Sequence, residues 1–128
     1  MQKLDAVERA RAVMTEAMEW PDWMWLFEKA KVREAADLAA ETFESANREA
    51  RNSWSDDFKR AYAEGADAHL IKEADDQAAR VTKEAETMFA EAEKRFNAAL
   101  AREAARKALE SFDLRETALA IAQSAGKD

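Results

Sequence analysis

The one histidine of this 128-residue chain, His69, is followed by two carboxylates at helical spacing. Glu73 and Asp76 come four and seven residues later, so all three side chains fall on one face of a helix. Imidazole and carboxylate groups are ligands of divalent metals. The di-iron sites of helical bundles need Glu-x-x-His, and here Ala66 stands three residues before His69. We therefore interpret the row first as a charged stripe beside a helix seam, with metal binding as the alternative.

Two acidic motifs extend this alternative. Glu41-Thr42-Phe43-Glu44 and Glu73-Ala74-Asp75-Asp76 are similar to the E-x-x-E and E-x-x-D motifs of all-α nucleoside triphosphate pyrophosphohydrolases. Glu34-Ala35-Ala36-Asp37 is a second candidate for the first motif. The resemblance covers eight residues and implies a Mg²⁺-dependent enzyme that binds a triphosphate. The metal ligands under this alternative are Glu34, Asp37, Glu41, His69, Glu73 and Asp76.

A cluster of aromatic residues is the other candidate site. The segment Trp20–Phe27 holds three of the four tryptophans and directs them to all sides of a helix. Such residues pack the corner between two helices, bind a protein partner, or contact a membrane surface. We expect corner packing first and an interface second. The candidate partner or oligomer interface is Trp20, Trp23, Met24, Phe27, Leu38, Met88 and Phe96.

Composition predicts the elements that carry these residues. The chain has 31 Ala, 2 Gly and 1 Pro, only six residues are Val or Ile, and no segment alternates with period two. These features predict an all-α fold, a single domain over residues 1–128 and seams lined by Ala. The periodicity predicts an elongated antiparallel hairpin or coiled-coil-like bundle of about four helices, over residues 3–19, 21–51, 55–110 and 114–124.

Start and stop signals set these bounds. Pro21 suits the first turn of the second helix, and Ser55 or Ser53 begins the third. Asp113 with Glu116 has the spacing of a capping pair for the fourth helix. Gly65 is a weak point of the third helix, and the sequence is compatible both with a continuous helix and with a kink or break there.

The second predicted helix has two apolar faces, which indicates that it lies between two partners. Trp25, Val32 and Phe43 lie on the main face, and Trp23 and Leu38 lie nearly opposite, where the first helix or a partner is expected. If the second and third helices pair about the turn at Ser55, three contacts follow. These place Glu34 beside Asp76, Asp37 beside Glu73 and Glu41 beside His69.

Helix lengths predict self-association. At 1.5 Å per residue the second helix is about 45 Å long and an unbroken third helix about 80 Å. The apolar stripe from Ala85 to Ala99 is then left uncovered, and a second copy of the chain is the simplest cover.

Charge and cysteine content narrow the function. The net charge is −7 with both signs interspersed, so we expect an acidic protein that does not bind nucleic acid. The chain has no Cys, no signal peptide and no membrane-spanning run, so we expect a cytoplasmic protein without membrane contact.

We expect no enzyme activity and no cofactor. The function we favour is a non-catalytic helical protein–protein interaction module (an adaptor, inhibitor or assembly subunit) that self-associates. The alternatives are the pyrophosphohydrolase-like enzyme and an amphipathic coat of granules or membranes, similar in composition to phasins.

Overall fold

The computed structural model describes residues 5–65 and 69–125, and 92% of these residues are helical. The helices are α1 (Asp5–Ala17), α2 (Asp22–Asn52), α3 (Asp56–Glu64), α4 (His69–Arg95) and α5 (Ala98–Ala125). There is no strand in these two ranges. The prediction of an all-α fold is confirmed, and the predicted count of four helices is not. The predicted start of the first helix at Lys3 lies outside the described residues.

The predicted ends of α2 agree with the structure to within one residue. Pro21 precedes the helix in an extended conformation, with φ −69° and ψ 162°. The turn after α2 also follows the sequence signal, because the Ser55 hydroxyl accepts a hydrogen bond of 3.1 Å from the backbone N–H of Phe58. Ser55 therefore caps α3 as a start signal of this type does.

The prediction of one long third helix over residues 55–110 is wrong, because the chain turns twice within it. Gly65 ends α3 in the left-handed region, at φ +73°. The second turn is at Phe96, which has φ +52°. The N–H of Asn97 then bonds back to the carbonyl of Ala92 at 3.2 Å, a Schellman ending of α4. The Asn97 side chain caps α5 by accepting from the N–H of Leu100 at 3.0 Å.

The predicted fourth helix over residues 114–124 is likewise wrong as a separate element, because it is the second half of α5. Asp113 is not a cap but lies inside this helix. Asp113 and Glu116 instead form ion pairs with Arg11 of α1, at 2.9 and 2.8 Å. Phe112 is buried in the core, with its ring centroid 6.0 Å from that of Phe43.

Helix α5 is the centre of the bundle and packs against α1, α2 and α4. Most of its buried residues are alanines, whose small side chains let neighbouring helices approach closely. Ala85, Phe89 and Ala92 of α4 are buried in the core cluster that also contains α5. The part of the stripe from Ala85 to Ala92 is therefore covered within the chain, whereas Phe96 and Ala99 are exposed.

Contacts along the helices give their directions. Arg102 of α5 pairs with Asp22 at the start of α2, and Trp54 after α2 donates a hydrogen bond to the Ala122 carbonyl late in α5. Helices α2 and α5 therefore run parallel, and α4 runs antiparallel to both. The start of α2 and the α4–α5 turn consequently lie at one end of the bundle, and α3 lies at the other.

Candidate functional site

Four of the seven predicted interface residues are exposed. The side chains of Trp23, Phe27, Leu38 and Phe96 are 60%, 80%, 51% and 72% accessible to solvent. The other three, Trp20, Met24 and Met88, are partly buried. The sequence prediction therefore combined residues of two different surroundings.

The exposed residues of α2 form a continuous stripe along the helix. At 100° per residue, positions 23, 27, 30, 34 and 38 fall within an arc of about 80°. The opposite side of α2 carries Trp25, Val32 and Phe43, all buried. Helix α1 packs on α2 through its buried residues Val7 and Met14 and leaves the stripe open. The expectation that α1 covers Trp23 and Leu38 is wrong.

Phe96 lies beside α2 at the end of the bundle where this helix begins, next to Lys29 and not on the stripe itself. The Lys29 ammonium group lies 5.3 Å from the centroid of the Phe96 ring and donates a hydrogen bond of 3.0 Å to the Leu26 carbonyl. Leu26 is 37% exposed and lies beside Trp23 on the helical wheel. We call the exposed apolar side chains at this end of the bundle, Trp23, Leu26, Phe27 and Phe96, the aromatic surface.

Sequence reasoning missed Leu26 and Lys29, although helical spacing already places Leu26 beside Trp23 and Phe27. The contact with Phe96 could not be found in this way, since it depends on the turn after α4.

Trp20 belongs to the packed corner between α1 and α2. Its ring meets the buried ring of Trp25 edge-on, with the centroids 5.3 Å apart and the planes at 63°. Arg102 donates to the Trp20 carbonyl at 2.9 Å and to Asp22 at 2.5 Å, which fixes the corner against α5. The tryptophan cluster thus contains a packed corner and an exposed surface side by side.

Met88 lies away from the aromatic surface. It lines a shallow groove between α4 and α5 together with Lys83, Arg80 and Lys107. Four of the six residues that line this groove are charged, and their aliphatic stems together with Met88 make its wall mainly apolar.

The predicted acidic residues do not converge. Arg33 of α2 pairs with Glu93 of α4 at 2.7 Å, so this level of α2 lies beside Glu93 and not beside Asp76. Relative to the predicted register, α4 is displaced along α2 by about 16 residues, or roughly 24 Å. Among residues 5–65 and 69–125 no group of three or more histidine or acidic side chains is placed to hold a metal ion.

A cleft of about 190 Å³ lies between α2, α4 and α5. Arg51, Asp75, Glu44 and Arg115 line it, so its formal charges cancel. Arg115 is partly buried and donates to the Thr82 hydroxyl at 3.0 Å, and burial lowers the pKa of its guanidinium. Small-molecule sites usually have volumes of about 300–1,000 Å³. With this volume and balanced charge, the cleft does not select an anionic ligand.

No family model, no curated protein and no solved structure matches this chain. None of the helices within the described ranges combines the length and hydrophobicity that a bilayer-spanning segment needs. The function must therefore be inferred from the surfaces themselves.

Proposed function

We propose that this protein is a non-catalytic helical interaction module that associates through its aromatic surface. The observation that supports this is the exposure of Trp23 and Phe27, 60% and 80%, on a helix whose opposite face is fully packed. Soluble monomers rarely leave large apolar side chains grouped in this way, and such groups mark interaction sites. Trp in particular is enriched among the residues that dominate binding energy.

The aromatic surface rests on a packed base, which favours binding. Beneath it Trp25 is fully buried, and Arg102 holds the turn before α2 through Trp20 and Asp22. A preformed surface loses little conformational entropy when it binds. The proposal also includes that the protein self-associates, binds a further protein partner and is located in the cytoplasm.

Substitution of the surface tests the proposal. Trp23→Ser with Phe27→Ser should abolish assembly in sedimentation experiments and retention of a protein partner, while circular dichroism stays unchanged. Leu70→Ser is the matched control, because Leu70 is 64% exposed but lies at the start of α4, at the other end of the bundle.

The alternatives give different results. If the double variant behaves as the unchanged protein in both assays, the interaction module is wrong. Binding to vesicles of phosphatidylcholine and phosphatidylglycerol that is lost in the double variant would assign the same surface to a membrane or granule coat instead.

A further inference from the structure

We propose that a second copy of this chain covers the stripe, with its α2 antiparallel across a twofold axis beside Ala30. This inference rests on the proposed function and names the partner of the same surface. The stripe carries Trp23 and Phe27 at one end and Leu38 at the other, and all three are exposed. A twofold axis between residues 30 and 31 brings Trp23 of each copy opposite Leu38 of the other. A twofold interface uses one patch twice, and in this register Phe27 of each copy packs on the aliphatic stem of Glu34 of the other.

The centre of the stripe permits close approach. Ala30 is exposed and small, so two helices can cross there without a side chain holding them apart. Lys31 and Glu34 are exposed beside it. In the antiparallel arrangement Lys31 lies about one helical turn from Glu34 of the second copy, within reach of an ion pair. The symmetry forms this pair twice.

The distribution of charge favours a second copy. Residues 22–38 and 91–102, which include the whole stripe, contain six acidic and six basic residues, a net charge of 0. The chain as a whole has −7, so the remainder carries all of it. Two copies that meet at the aromatic surface keep their acidic regions apart and avoid repulsion between like charges. A strongly charged partner would meet no complementary charge at this end of the bundle.

The exposed area suits a dimer of moderate affinity. Taking about 150–250 Å² for a whole aromatic side chain, Trp23 and Phe27 of the stripe expose on the order of 200–350 Å². Leu38 and the exposed side chains of Lys31 and Glu34 add to this area, and the sum stays below the roughly 800 Å² per partner of an ordinary interface. We therefore expect a dissociation constant in the micromolar range.

The chain has no cysteine, so engineered disulfides give a direct test. Ala30→Cys should form a disulfide-linked dimer on oxidation, because the two residues lie on either side of the axis. Ser45→Cys is the control on the same exposed face. Its two positions lie about 43 Å apart along the helices, so it should not be linked, and spin labels on it should report a separation of that order. In a parallel pair both variants would be linked.

Sedimentation of the unmodified chain completes the experiment. Its mass should rise from 14.4 kDa towards about twice that value between about 1 and 200 μM. Phe27→Ser should raise the dissociation constant at least tenfold, and Leu70→Ser should leave it unchanged.

Two results overturn the twofold pairing. A mass of 14.4 kDa at 200 μM excludes a second copy, and equal linkage of both cysteine variants excludes the antiparallel arrangement. The interaction module survives either result, in the first case without self-association, if Trp23→Ser with Phe27→Ser still abolishes binding of another protein, so the two failures are distinguishable.

Discussion

The hydroxyl of Tyr62 donates a hydrogen bond of 2.6 Å to the carboxylate of Asp75 and so ties α3 to α4. Arg51 of α2 completes the group, because its guanidinium donates to the Tyr62 hydroxyl at 2.9 Å and also to Asp75. Three helices therefore meet in one polar contact at the end of the bundle opposite the aromatic surface. Burial, together with the hydrogen bond to Asp75, raises the pKa of Tyr62 from 10.0 to about 12.

Tyr62 is the only tyrosine, so tyrosinate absorbance reports this hydroxyl alone. We expect the pKa of Tyr62 to be about 12 in the folded protein and close to 10 in urea. Because the folded state holds the proton more tightly, the contribution of Tyr62 to stability is present below pH 10 and is lost between pH 10 and 12. Circular dichroism at each pH should verify that the protein is folded. A folded protein in which Tyr62 titrates near pH 10 would contradict the hydrogen bond, and Tyr62→Phe should remove the signal.

Two arginines that line the same cleft should respond differently to replacement. Arg51→Met leaves the Asp75 carboxylate partly buried without its cation, so we expect a loss of about 1–2 kcal/mol in the free energy of unfolding. Arg115→Met should leave it unchanged or raise it by up to about 1 kcal/mol, because a partly buried charge is replaced by an apolar side chain. The Thr82 hydroxyl is not left unpaired, since it also donates to the Ala78 carbonyl at 2.8 Å. The urea unfolding midpoints of the two variants measure these changes. A large decrease in the free energy of unfolding for Arg115→Met would show that the fold needs the positive charge of Arg115 in the cleft.

Phe96 and Gly65 both have a left-handed backbone conformation, and their replacement should have opposite effects on stability. Phe96 has φ +52°, a conformation that costs a residue with a side chain about 1–2 kcal/mol. Phe96→Gly should therefore stabilise the monomer by roughly 0.5–1 kcal/mol, while its loss from the aromatic surface weakens association. Gly65→Ala should destabilise by about 1 kcal/mol. The added Cβ lies 3.7 Å from Lys72 Nζ, an ordinary contact, so φ alone causes the loss. Thermal unfolding at low micromolar concentration measures the stability change of both variants. If the Phe96→Gly monomer is less stable than the unchanged protein, the left-handed conformation of Phe96 does not destabilise the fold.

Local signals predicted a large part of this fold. The bounds of α2 and the cap at Ser55 follow from turn chemistry within a few residues of the chain. The burial of Trp25 and the exposure of Trp23 follow from helical spacing, because positions two apart point to different sides of a helix. These features need no knowledge of distant contacts.

The contacts made over long distances could not be predicted in this way. The segment Arg95-Phe96-Asn97 contains neither Gly nor Pro, so the turn after α4 had only Asn97 as a signal. Conversely, Asp113 and Glu116 have the spacing of a capping pair, but their carboxylates bind Arg11 of α1. The register of α4 against α2 depends on the connection through α3 and Gly65, which a simple hairpin at Ser55 leaves out, so the three contacts expected for Glu34, Asp37 and Glu41 do not form.

Chelation tests the remaining enzyme alternative. The six acidic and histidine residues predicted as ligands do not converge, so we expect EDTA to leave helicity and the melting temperature unchanged. Addition of Mg²⁺ or Mn²⁺ should likewise produce no hydrolysis of nucleoside triphosphates. A fall of several degrees on chelation, reversed by Mg²⁺ or Zn²⁺, would show that a metal stabilises the fold.

Trp23 and Trp25 stand two residues apart and should separate stability from association. Trp25 is fully buried and packs edge-on against Trp20. Trp25→Ala should therefore lower the free energy of unfolding by about 3–5 kcal/mol, as large truncations in cores do. In a domain whose whole stability is about 5–15 kcal/mol, that is a large share. Trp23 is 60% exposed, so Trp23→Ala should cost the monomer about 1 kcal/mol or less while it raises the dissociation constant of the dimer. Denaturant midpoints and sedimentation of both variants measure the two effects independently. If both variants unfold the protein to the same extent and neither changes its assembly, Trp23 only packs the corner and the aromatic surface is not a binding site.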